Sequence, residues 1–240
     1  MPLCSFLRSL GPLAGAMALI AALLSTPGFA ASEVNVYSAR KEALIKPLLD
    51  RFSRETGITV NLVTGDGDAL LTRLQREGRN SPADVLITTD AGRLYRAQQA
   101  GVLQAIDSSL LKEVIPPHLR SEEGYWFGLS VRARVIVYAP DRVDPGKLGS
   151  YLDLADDQWR KRICIRSSSN IYNQSLVAGM IANEGMEKTR AWLNGFVPNF
   201  ARPPQGGDRD QVKAVAAGQC DVAVVNSYYL GAMLTSDDAA

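Results

Sequence analysis

The sequence predicts an α/β protein of two lobes, each a mainly parallel sheet flanked by helices. Two observations carry that prediction. Strand and helix patterns alternate from Val34 to Gly101 and resume after Pro140, as they do in parallel sheets with helices on both faces. Between the two alternations, Tyr125 to Tyr138 reads as one long extended run with no helix in it. A strand leaving one finished sheet for another is how a hinge between lobes would look.

Taken in order, the chain opens on a leader. Arg8 is followed by an apolar run, Leu13 to Leu24, and then by Ser25-Thr26-Pro27-Gly28-Phe29-Ala30-Ala31. This is a secretory signal pattern with cleavage after Ala30, and its apolar core is short for a membrane span. Arg8 is its only charge, so the formal net charge of +1 falls to 0 on cleavage, with 26 less 1 basic residues against 25 acidic. A neutral mature chain gives no electrostatic case for nucleic acid or an anionic membrane as partner.

Val34 to Ser38 alternates as a strand. Lys41 to Thr56 then places Leu44, Ile45, Leu48, Leu49 and Phe52 on one helical face, with Gly57 as its stop. Pro47 lies inside, so this helix either starts late or kinks. Ile58 to Val63 is a second strand. Thr64-Gly65-Asp66-Gly67-Asp68 offers caps to a helix carrying Leu70, Leu71 and Leu74 that ends near Gly78. Ala83 to Thr88 is a third strand, and Asp90 begins a helix that Gly101 stops.

The second alternation opens with a short helix, Tyr151 to Arg160, and a strand, Arg162 to Arg166. Ser167-Ser168-Ser169-Asn170 caps a helix starting near Tyr172, and a further helix covers Met186 to Leu193. After a short strand near Phe200-Ala201, Asp208 or Asp210 caps the helix of Val212, Val215 and Ala216. Cys220 to Asn226 is the last strand, and Ser227-Tyr228-Tyr229 follows it at once.

Chemistry is sparse in this chain. The only histidine, His118, follows Pro116-Pro117 in a loop, which excludes His-rich and Cys-rich metal sites and any nucleophile that needs another imidazole base. Cys164 and Cys220 remain after cleavage. An oxidising compartment permits a disulfide between them, and burial as two thiols fits equally well. What stands out is Tyr172 past one strand end and Tyr228 with Tyr229 past another. Carboxyl ends of strands face the ligand crevice in open α/β sheets. If those strands are neighbours, three phenol oxygens converge, a donor set for a hard and highly charged cation. A phenol ionises near about 10, so such a cation must itself drive the proton off. Plain packing accounts for three tyrosines among eight as well.

The ordered motifs carry a resemblance. Val34-Asn35-Val36-Tyr37-Ser38, Asn80-Ser81-Pro82-Ala83-Asp84-Val85, Trp126-Phe127-Gly128-Leu129 and Arg132-Ala133-Arg134-Val135-Ile136-Val137-Tyr138 belong to it. So do Ile171-Tyr172-Asn173, Pro204-Gln205-Gly206-Gly207-Asp208-Arg209 and Asn226-Ser227-Tyr228-Tyr229. Together they resemble the periplasmic ferric-iron-binding proteins of ABC importers, the bacterial transferrin-like branch of the type II solute-binding proteins. The resemblance implies a two-lobed type II periplasmic binding protein fold. In that frame, residues 1–30 are the signal peptide, 31–131 the first lobe, 132–227 the second lobe and 228–240 the start of a return to the hinge. Family members continue well beyond this end, so the resemblance also implies a chain cut short, without the second crossing and the closing helices.

By the same resemblance, Tyr172, Tyr228 and Tyr229 match the iron-ligating tyrosines. Arg132 matches an arginine that holds carbonate or another synergistic anion, and a guanidinium suits a planar oxyanion. A hinge-strand arginine paired with a carboxylate is the plainer reading of Arg132. Where many members carry a first-lobe His or Tyr ligand, this chain has Ala39-Arg40-Lys41-Glu42. Glu42, Asp66 and Asp68 are the remaining oxygen donors, with plainer roles as solvated helix surface and helix caps; failing them, the resemblance implies an anion or water completing the shell, as in three-tyrosine members.

The function implied is capture of ferric iron in the periplasm and delivery to an ABC permease by a monomeric protein that neither spans the membrane nor acts as an enzyme. Two alternatives stay open. A binding protein of the same fold for a small organic or phosphorus-containing anion would rely on Arg132, Arg40 and Ser167–Ser169. A secreted hydrolase would use that serine cluster, but no nucleophile elbow surrounds it.

Overall fold

The protein is described by a computed structural model covering residues 32–235. The leader and its cleavage point after Ala30 lie outside the described residues, as do 236–240. The chain divides into two compact units. The first runs up to Gly65 and adds Pro82–Ile87; the second comprises Asp66–Ser81 and everything from Thr88 onward.

The first unit is a three-stranded parallel sheet in the order β2-β1-β3, made of β1 (Glu33–Ser38), β2 (Thr59–Thr64) and β3 (Val85–Ile87). Val36 stands opposite both Leu62 and Val85. Val36, Tyr37 and Ser38 are buried at the middle of the sheet. Helix α1 (Glu42–Thr56) links β1 to β2 and stops at Gly57, whose φ of 73° suits a residue without Cβ. Pro47 lies inside α1, yet the helix is continuous from Glu42. The five apolar residues expected on one helical face divide in burial: Ile45 is buried, whereas Leu44 and Leu48 are 63% and 59% exposed.

The second unit opens on helices α2 (Gly67–Glu77), α3 (Ala91–Gln99) and α4 (Ser109–Val114). Asp66 caps α2, its Oδ1 accepting from the Asp68 and Ala69 amides at 2.9 and 3.2 Å. The long strand expected from Tyr125 to Tyr138 is shorter than its pattern. Only Arg134–Tyr138 forms β4. Upstream, Ser121 N donates to Trp126 O and Gly128 N to Leu119 O, so 119–128 folds back on itself and spends its extended residues locally.

β4, β5 (Ile163–Cys164) and β6 (Val222–Asn226) form a second sheet with β6 in the centre, antiparallel to β4 and parallel to β5. All five residues of β6 are buried, and they alternate between two cores as a strand requires. Val222 and Val224 join Leu154, Trp159, Ile163, Trp192 and Phe196, under helices α5 (Ile171–Glu184) and α6 (Met186–Phe196). Ala223 and Val225 join Val137, Cys164, Ala214 and Val215, under helix α7 (Asp208–Ala216). Helix α8 (Ser227–Leu234) follows β6 directly.

Cys164 and Cys220 are joined as a disulfide across 56 positions of sequence, which resolves the two readings left open. The helix expected over Tyr151 to Arg160 is instead two 3-10 turns, Leu152–Ala155 and Asp157–Trp159. Asn199 Nδ2 donates to Leu154 O and Asp156 O, taking the carbonyls a longer helix would need. The strand expected near Phe200 is reduced to a single bridge with Ile163. Among the described residues, no helix is long and apolar enough to cross a membrane.

Candidate metal centre

Two neighbouring parallel strands each lead into a helix, and each helix carries phenols in its first turn. β5 is followed by the Ser167–Ser169 loop and Asn170, whose Oδ1 accepts from Tyr172 N at 3.0 Å and so starts α5. That cap places Tyr172 beyond the end of β5. Asn170→Ala removes the side-chain acceptor at the N-cap and is expected to cost about 1 kcal/mol of stability in equilibrium urea unfolding. β6, one strand over, runs straight into α8, whose second and third residues are Tyr228 and Tyr229. Their rings lie 4.3 Å apart between centroids.

The three hydroxyls share hydrogen bonds, and Thr89 adds another to Tyr172. Their protons are not equivalent. Burial opposes ionisation of Tyr172, but its bonds to Tyr228 and Thr89, the charge of Arg132 and its bond to Tyr229 outweigh burial and hold it below the usual phenol range. Tyr228 is pushed up by burial and by hydrogen bonds to Tyr229 and Tyr172. Tyr229 is raised as well, first by burial and then by the charge of Tyr172. The surroundings thus favour ionisation of Tyr172 and oppose that of Tyr228 and Tyr229. Helix N-termini also favour negative charge at that spot.

Beneath the phenols lies a charged network. Asp208, fully buried, pairs with Arg134 Nη1 at 3.0 Å and Arg166 Nη1 at 3.2 Å, and accepts from Asn226 N at 2.8 Å. Arg134 also donates to Asn173 Oδ1 and to Val224 O. Arg132 pairs with Asp90, the plainer of the two readings above, and its Cζ lies 4.6 Å from the centre of the Tyr172 ring. Arg166 and Arg134 approach the same ring at 5.2 and 5.9 Å. Three arginines against two aspartates leave a surplus of +1 around Tyr172 (3 − 2). A cation near a phenol favours its anion.

Tyr172, Tyr228, Tyr229 and Arg132 thus form one cluster. Asp66 is engaged in capping α2. Glu42 opens α1 in the first unit, its side chain exposed. Among the described residues, no three His, Cys, Asp or Glu side chains gather as a metal-binding group. The sequence reading missed Asp90, Thr89, Arg134, Arg166 and Asp208 in these roles. One signal was present: Arg134 begins an otherwise apolar strand, and an arginine buried there requires a buried carboxylate.

A family model for bacterial extracellular solute-binding proteins matches residues 37–239. Iron uptake protein A1 of Synechocystis sp. is 49% identical over 220 residues, 92% of this chain and 61% of that protein. A Trichodesmium protein solved in complex with iron and citrate ligands is 52% identical, with a TM-score of 0.83 over 87% of this chain and 66% of that one. The ferric binding protein of Campylobacter jejuni is 40% identical, with a TM-score of 0.79 over 85% and 65%. The chain spans about three fifths of the length of the curated relatives it matches.

Proposed function

The chain belongs to the bacterial extracellular solute-binding proteins, and on that premise we propose that it captures ferric iron in the periplasm for an ABC permease, with Tyr172, Tyr228 and Tyr229 as ligands. The observation that carries this reading is the meeting of three phenols over a cationic network. Relatives named for ferric iron and iron uptake support the identity of the cargo. A trivalent hard cation is the partner that repays deprotonation of three phenols, two of which resist it. Arg132 gives one Nη2 donor to Asp90 and has other donors with which to hold carbonate or a similar planar anion beside the metal. Glu42 and Asp66 are assigned no more than an auxiliary part.

On this reading the protein is a monomeric carrier and not an enzyme, and the leader exports it. Release follows from protonation of the phenolates or from reduction, because the ferrous ion is the weaker Lewis acid.

Ferric citrate added to the purified protein is expected to raise a visible phenolate-to-iron charge-transfer band. The band weakens or disappears in Tyr172→Phe and in Tyr228→Phe. A wild-type protein that stays colourless and retains no iron after desalting contradicts the proposal. An excess of a phosphonate as competitor tests the small-anion alternative, which predicts displacement of nothing coloured and direct binding of the phosphonate.

A further inference from the structure

We propose that Asp90 is a positioning residue of the phenol cluster, fixing the Arg132 guanidinium against the face of Tyr172. Its consequence for iron rests on the function proposed above; its consequence for Arg132 does not. Asp90 is the N-cap of α3, and its φ of 83° lies where residues other than glycine are rarely found. Such a conformation persists where the surroundings over-determine it, and here they do. Oδ1 accepts from Gly92 N at 2.9 Å and from Ser175 Oγ, while Oδ2 accepts from Arg132 Nη2. Only 7% of the Asp90 side chain is exposed.

These three donors come from three segments with different tasks. Gly92 belongs to α3. Ser175 lies three residues beyond Tyr172 on α5, so it reports the position of that helix turn. Arg132 lies just before β4. One carboxylate thus ties α3, the turn of α5 that carries Tyr172, and the arginine stacked on the Tyr172 ring. The approach is close: a Cβ on Gly92 would come within 2.9 Å of Ile171 Cδ1 and 3.1 Å of Ser175 Oγ. Thr89, the residue before Asp90, bonds to the Tyr172 hydroxyl. The strained residue and its neighbour therefore address both the hydroxyl and the ring-face cation of the same tyrosine. Without the Asp90 carboxylate nothing in this set holds Arg132 Nη2, and a long, quarter-exposed arginine side chain is free to turn to solvent.

Asp90→Gly is the test substitution, because glycine adopts the same φ without strain; Asp90→Asn, which keeps the cap acceptor, is its companion. Purified wild type, Asp90→Gly, Asp90→Asn, Arg132→Ala and the Asp90→Gly/Arg132→Ala double variant are compared in ferric citrate titrations. Asp90→Gly is expected to weaken ferric binding by about ten- to a hundredfold, the usual effect of removing an outer-shell partner. Its charge-transfer band moves to longer wavelength, because a phenolate relieved of the cation on its ring is a better electron donor. Asp90→Asn shows the same changes in smaller degree. In the Arg132→Ala background, Asp90→Gly costs clearly less than it does in wild type, leaving only what its bond to Ser175 contributes, as required of a residue that acts mainly through Arg132. The Arg132 Nε–H resonance of the iron-free protein, distinct in wild type, collapses to a solvent-exchanging signal in Asp90→Gly. A folded Asp90→Gly protein with wild-type affinity, band and Arg132 resonance overturns the proposal, and so do additive losses in the double variant. If wild type gives no band at all, the iron reading falls, and the Arg132 resonance alone decides whether Asp90 positions it.

Discussion

Asp208→Ala is expected to destabilise the protein by about 3–5 kcal/mol, a large share of the total stability of an ordinary domain. The wild-type carboxylate is fully buried and serves two arginines and the backbone amide of Asn226. Its removal leaves Arg134, itself only 9% exposed, and Arg166 without a counter-charge. Two buried cations side by side repel each other as well as losing their partner, and the Asn226 amide loses its acceptor. The effect also reaches the site, because both arginines lie against the ring of Tyr172. Equilibrium urea unfolding measures the loss. Asp208→Asn is expected to fall between wild type and Asp208→Ala, since an amide oxygen still accepts from Asn226 N but carries no charge. A loss below about 1 kcal/mol in Asp208→Ala would mean that the pair contributes little beyond a surface ion pair.

Reduction of the disulfide, or the double substitution Cys164→Ala/Cys220→Ala, is expected to cost about 4 kcal/mol by the chain-entropy account of a loop this long. The loop closes 56 positions of sequence and contains the whole of α5, α6 and α7. It therefore restrains the unfolded state over most of the second sheet's helical cover. Both cysteines are buried, so thiol reductants should act slowly on the native protein and quickly in moderate urea. The midpoint shift between oxidised and reduced protein, at unchanged slope, reads the stabilisation directly. A midpoint that does not move would show that the two strands are held by packing alone.

The alternation of strands and helices was legible because the strands are short and largely apolar and several of them lead into helices with a side-chain cap. Asp66, Asp90 and Asn170 cap the helices that their positions suggested. Val222–Val225 is legible because four residues buried on both faces of the sheet leave a continuous apolar run. The phenol cluster follows from β5 and β6 being parallel neighbours, which pattern alone suggests but cannot fix. Legibility failed where residues far apart in sequence decide the outcome. Of the two aspartates that read as caps of α7, Asp210 takes that part, accepting from the Gly207 amide at 2.6 Å, whereas Asp208 does not. The Asp208 carboxylate is drawn instead to Arg134, 74 positions away. Tyr125 to Val131 reads as strand from composition, but its partners lie in 119–121 and make a local turn. On α1 the apolar spacing is helical as expected, though spacing does not say which of those residues are covered, and Leu44 and Leu48 are exposed.

The most direct test of the iron reading is resonance Raman scattering from the ferric-loaded protein, excited within its visible band. Iron bound by phenolates enhances tyrosine ring and C–O modes, whereas iron bound by carboxylates, carbonate or citrate alone does not. Enhanced tyrosinate modes are expected in wild type, reduced in Tyr172→Phe and reduced again in the Tyr172→Phe/Tyr228→Phe double variant. Iron retained through desalting with no enhanced tyrosinate modes, or with modes unchanged in those variants, would contradict a site built on Tyr172, Tyr228 and Tyr229.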